Sequence, residues 1–299
     1  MNRFPSASPT RLLTALTTFS IGVSIVVGLT ATIAGAQSAP AEKNASDQPA
    51  PTAQTKADLE WLSKTSKLYY SSAKAGLTGF DCAIHPDWQT VFATVGKDAN
   101  VAADDPRIAL LNSVKITVHA HMRGPSTIEW VADSNPDKPL SQESTDLLDG
   151  LHRSIEQTLE GFLQFWGPFF ENTVVPDTTD GLEITHTPTV HTIRAKQGDT
   201  ELTEVFSNDL VLEQFNVNMS GTSIKFVPTY QPSPQGLLVS AFDAHIRPAG
   251  SSPEQAQVMK VGIEYQPVGA LMVPGKLKME VVGTGVFNFV FDGCTTNAK

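Results

Sequence analysis

Apolar and polar residues alternate over 114–123. Val114, Ile116, Val118, Ala120 and Met122 interleave with Lys115, Thr117, His119, His121 and Arg123, the period of a half-buried strand. Gly124-Pro125 then turns the chain, and residues 127–132 supply a partner strand. Over 142–166 the rhythm changes to i, i+3, i+4. Leu147, Leu148, Leu151, Ile155, Leu159, Phe162, Leu163 and Trp166 predict a long amphipathic helix that Gly167-Pro168 should stop. From Leu182 onward the pattern is strands and tight turns. Met259, Val261, Ile263 and Tyr265 share a face, as do Leu277, Met279 and Val281, and Phe287, Phe289 and Phe291. Lys260, Glu264, Lys276, Lys278, Glu280, Asn288 and Asp292 take the opposite faces. One-sided apolar strands in succession predict an α+β fold, an antiparallel sheet with one wet face and the other under helices.

Two segments cover that face in this reading: the helix at 142–166 and one at 57–74. Thr55 and Asp58 resemble a capping box, Leu59, Leu62 and Tyr69 follow at roughly helical spacing, and the helix should end before Gly76. Residues 80–92 fit neither period. With no fixed repeat and no composition break, 55–299 reads as one domain.

The N-terminal part reads as an address. Arg3 and Arg11 precede an apolar run over 12–33, which ends in Ala34-Gly35-Ala36, the order of a signal peptide cleaved after Ala36. The run is also long enough to act as an inner-membrane anchor. No Cys follows it to carry a lipid. Residues 37–54, rich in Ala, Pro, Gln and Ser, have too little apolar surface to fold and read as a flexible tether. The expected location is therefore periplasmic or secreted.

Net charge is −10 for the 299 residues; losing residues 1–36 removes two Arg and no acid, giving −10 − 2 = −12. Such a chain, without a basic run, argues against nucleic-acid binding and against adhesion to anionic lipid surfaces. Cys82 and Cys294 are the only cysteines. In an oxidising compartment they are expected to form a disulfide, with two buried thiols as the alternative. Neither lies in a CxxC or nucleophile motif.

Candidate chemistry is sparse, and no catalytic residue, metal site or cofactor is assigned. His119 and His121 point to one strand face and could bind zinc or copper if His186 or His191 supplied a third ligand; a plain polar strand face is the simpler reading. Asp133, Asn135 and Asp137 resemble the start of a calcium loop, but Lys138 stands where Gly is needed and Ser144 where Glu is needed. Ser71-Ser72-Ala73-Lys74 matches the SxxK of penicillin-recognising enzymes, yet no KTG follows, and Ser207-Asn208-Asp209 reverses the order of SDN. That segment reads as the end of a solvated helix. No GxSxG, HExxH, P-loop or dinucleotide fingerprint is present. The stripe Phe287, Phe289, Phe291 suits either a filled core or a lined cavity.

The C-terminal segment VGIEYQPVGALMVPGKLKMEVVGTGVFNFVFDGC resembles the LolA-like superfamily of exported lipid-binding proteins. It carries a Tyr near a strand end (Tyr265), then Gly269, then Pro274 opening the next strand, then a last strand over 286–291. The resemblance implies a curved, incompletely closed half-barrel whose concave apolar face is lidded by helices. It implies a hydrophobic small molecule or lipid as ligand, bound along Val261, Ile263, Tyr265, Leu277, Met279, Phe287, Phe289 and Phe291. The expectation is an exported, non-enzymatic binding protein of the cell envelope, with an envelope protein as a possible further partner. An envelope scaffold without a cavity and a metal-dependent hydrolase are the alternatives.

Overall fold

The computed structural model describes residues 53–95, 101–121, 125–132, 140–170, 174–283 and 285–298. The segments expected to be a signal peptide (1–36) and, up to residue 52, a tether, with Met122, Arg123 and the calcium-like Asp133, Asn135 and Asp137, lie outside the described residues. The fold is α+β: twelve strands in an antiparallel sheet not closed into a barrel, with four α-helices among the described residues. These residues divide into two compact units.

The first unit comprises 72–166 and 258–298. Its strands are β1 (Leu77–Pro86), β2 (Lys115–His121), β3 (Thr127–Val131), β10 (Gln257–Val268), β11 (Leu271–Val281) and β12 (Gly285–Ala298), ordered β3-β2-β1-β12-β11-β10. In β2, Ile116, Val118 and Ala120 are buried, as the alternation predicts. Residues 80–92 resist a single period because β1 runs almost directly into the helix Trp88–Val95. Asp87 caps that helix: its carboxylate accepts from the Thr90 amide at 3.2 Å and its carbonyl from the Val91 amide at 3.0 Å. Numbered in chain order, the helices are α1 (Ala53–Ser66), α2 (Trp88–Val95), α3 (Pro106–Asn112) and α4 (Gln142–Phe170). Cys82 of β1 and Cys294 of β12 form the expected disulfide, between two strands already paired.

Ser141 opens α4, its hydroxyl accepting the Ser144 amide at 3.2 Å. Leu148, Leu151, Ile155, Leu159, Phe162, Leu163 and Trp166 are buried along one stripe, while Leu147 is half-buried. The helix does not stop at Gly167-Pro168 but continues to Phe170. A helical Pro lacks the amide for one ladder bond and costs about 3 kcal/mol. Burial of Phe169 against Phe215, Phe226 and Phe242, 5.9–6.2 Å between ring centres, offsets that cost.

The second unit comprises 53–71 and 167–257 of the described residues. It is a meander of β4 (Leu182–His186), β5 (Val190–Gln197), β6 (Thr200–Ser207), β7 (Leu212–Met219), β8 (Thr222–Ser233) and β9 (Gly236–Arg247). Helix α1 starts at Ala53, so Ala53 and Gln54 are helical rather than tether and Thr55 lies within the helix. It ends at Ser66, not near residue 74. Tyr69 instead bridges Leu237 of β9: the Leu237 amide donates to the Leu68 carbonyl (2.7 Å), and the Tyr70 amide to the Leu237 carbonyl (3.0 Å). The Tyr69 hydroxyl donates to the Leu210 carbonyl at 3.0 Å and accepts from the Leu212 amide at 2.7 Å. Those contacts draw the segment out of helical geometry.

Candidate functional site

In the first unit, cross-strand register assembles the apolar stripe. Val261, Met279 and Phe287 form one row; Ile263, Leu277 and Phe289 form the next. Phe291 lies opposite Ile84, which lies opposite Ile116. Helix α4 covers this surface with rings. Phe162 and Trp166 stack at 5.5 Å, Trp166 meets Phe80 edge-on at 6.2 Å, and Phe162 meets Phe291 at 6.5 Å. Tyr265 follows a register shift after Glu264 and is only half-buried. Its hydroxyl accepts a 2.9 Å bond from the Trp166 indole N–H, a polar tie between helix and sheet.

The seven other predicted lining residues (Val261, Ile263, Leu277, Met279, Phe287, Phe289 and Phe291) are each 4% exposed or less. Water barely reaches them, so with α4 in place the stripe is packed as core. At its end, the Gln266 side-chain Nε2 donates to the Phe291 carbonyl (2.8 Å) and the Pro274 carbonyl (3.1 Å). Burial and pairing there tie β10, β11 and β12 together.

His119 and His121 lie on the wet face of β2, as a polar strand face requires. His119 Nδ1 is 2.6 Å from an Asp81 oxygen, and its Nε2 is 3.6 Å from Glu129. The bond to Asp81, opposed by slight burial and helped by Glu129, holds the imidazole above its ordinary pKa. The three residues make a charge ladder across β1, β2 and β3. His186 and His191 belong to the second unit and face each other instead. Among the described residues, no group of three or more His, Cys, Asp or Glu side chains is placed to hold a metal ion. Ser71 and Ser72 are buried in a turn with Lys74 exposed; the segment is not the end of a helix, so the one-turn spacing of an SxxK nucleophile is absent.

Two groups escaped sequence reasoning. One joins Asp58 of α1 to the β4–β5 hairpin. His186 Nε2 is 3.1 Å from an Asp58 oxygen, and His186 Nδ1 is 2.8 Å from His191 Nδ1. Trp61 covers both imidazoles at 5.2–5.3 Å between ring centres. Two histidines flanking Thr187-Pro188-Thr189 were a legible signal for a cross-strand pair; Asp58, remote in sequence, was not. The other is Glu204 of β6, buried between Ile193 and Phe215 in register, with no hydrogen-bond partner on its Oε2. Burial pushes its pKa up to about 8.

Taken together, these are features of a sheet protein with a helix-covered apolar face. Compared with known proteins, the chain matches no family model, no curated protein and no solved structure.

Proposed function

We propose that this is an exported, non-enzymatic binding protein that holds a lipid or another hydrophobic molecule in the cell envelope. The reading takes residues 1–36 as a signal peptide cleaved after Ala36, with retention through 12–33 as the alternative; the disulfide is compatible with an oxidising compartment. Among the described residues no helix is long and apolar enough to cross a membrane. The observation that carries the ligand class is the cover itself. An apolar sheet face lies under one amphipathic helix, α4, packed through rings and tied at Trp166–Tyr265.

A ligand enters this face by displacing the helix. Lifting Leu151, Ile155, Leu159, Phe162 and Trp166 exposes five buried side chains, a cost of about 7.5–15 kcal/mol at about 1.5–3 kcal/mol each. An acyl chain gains about 0.8 kcal/mol per methylene, so about nine to nineteen methylenes are needed to offset it. Short acids should not bind. The second reading, an envelope scaffold with no ligand, is favoured by the near-complete burial of the stripe.

Lipid extraction and mass spectrometry of protein purified from its native envelope tests the pair. Co-purifying long-chain lipid, and binding of C14–C18 but not C6 fatty acids to the purified protein, supports the carrier. Protein free of lipid that binds none of these acids favours the scaffold.

A further inference from the structure

The β4–β5 hairpin holds two imidazole nitrogens within hydrogen-bond distance of each other. His186 and His191 are directly opposed in register, and the turn between them is fixed. The Thr187 hydroxyl accepts the Val190 amide at 3.0 Å, the Thr187 amide donates to the Val190 carbonyl at 2.9 Å, and the Asn208 side-chain amide donates to the Pro188 carbonyl at 2.6 Å. On that frame the two Nδ1 atoms stand 2.8 Å apart. Both rings keep partial exposure, so an ion from solvent can reach them.

We propose that His186 and His191 form a two-imidazole site for a copper(II)-type ion, with Asp58 as the positioning residue and solvent completing the coordination. The 2.8 Å separation is that of a hydrogen bond between the two rings, and it also suits adjacent positions on one metal. With metal–nitrogen bonds of about 2.0 Å, ligands 2.8 Å apart subtend about 90° at the metal, the angle of neighbouring positions in a tetragonal site. A tetrahedral zinc site would need them about 3.3 Å apart. Imidazole nitrogen is a good ligand for copper, which also heads the divalent affinity order.

The tautomer is half prepared. His186 Nε2 faces the Asp58 carboxylate, itself almost buried and also accepting from Gln54 at 2.8 Å. An Nε2–H donated there leaves the Nδ1 lone pair of His186 free for a metal, the carboxylate–histidine arrangement found behind metal-bound imidazoles. Only His191 must move its proton from Nδ1 to Nε2, with no change in charge.

Copper(II) titration of the full exported chain tests this, read by isothermal calorimetry and electron paramagnetic resonance. One ion per chain is expected, with a tetragonal spectrum split by nitrogen ligands. The double variant His186→Gln/His191→Gln should bind at least tenfold more weakly, and Asp58→Asn roughly 10–100-fold more weakly. His119→Gln should bind like the wild type. Thermal melts of the apo forms check that each variant is folded. Undiminished binding by the double variant, equal loss in His119→Gln, or a wild-type spectrum without nitrogen splitting overturns the proposal.

Discussion

Replacing Glu204 with Gln should flatten the pH dependence of stability between about pH 5 and 8. The carboxyl is buried among apolar neighbours, with no partner on Oε2, and its pKa rises from 4.5 to about 8. In the folded protein it therefore holds its proton over a range in which the unfolded chain has lost it. Where the folded state binds more protons, stability falls as pH rises. The loss starts near 4.5, grows through the window and levels off above about 8. Each pH unit inside the window costs about 1.36 kcal/mol, so moving from pH 5 to pH 7.5 should remove about 3 kcal/mol. Burial pushes the Tyr69 phenol well above its ordinary pKa, and the charge on an ionised Glu204 raises it further, so Tyr69 stays neutral throughout. Gln fills nearly the same volume and does not titrate. Urea unfolding at pH 5, 6, 7 and 8 measures the effect as the difference in slope between wild type and variant, which removes contributions from other groups. Equal slopes in the two proteins would refute the reasoning.

Reduction, or Cys82→Ala/Cys294→Ala, opens a link spanning 212 residues of sequence and should cost up to about 5 kcal/mol by chain entropy; denaturant midpoints with and without reductant measure it, and thiol labelling without reductant should find neither cysteine. His119 should titrate above 6.5 by NMR, and Asp81→Asn should bring it down towards that value. The sign follows from the raised value: the stabilisation is complete below the unfolded pKa and is lost as pH rises through the folded one. Gly236→Ala should destabilise by about 1–3 kcal/mol, because φ is +126° and a Cβ there would meet the Tyr69 and Leu68 backbone at 2.7–2.8 Å; thermal melts check it.

What the sequence made legible follows from which forces are local. Lys115, Thr117 and His119 must face water while Ile116, Val118 and Ala120 must not, so alternation alone specified β2, and the same held for β10 to β12. The end of α4 was illegible because a local rule met a distant reward: Gly167-Pro168 penalises the helix, and the three phenylalanines that receive Phe169 lie 46 to 73 positions further along the chain. Glu204 misleads for the converse reason. Leu202, Glu204 and Phe206 share one strand face, and a carboxylate on the inward side violates the pattern that defines it. The stripe of Phe287, Phe289 and Phe291 differs again. Burial by a helix and burial by a lipid tail demand the same residues, so alternation cannot separate them. What separates them is the work of removing the cover. That work is set by the rings of α4 against Phe80 and Phe291 and by the Trp166–Tyr265 bond. It makes chain length the discriminating variable: a ligand too short to offset the exposed rings leaves the helix where it is.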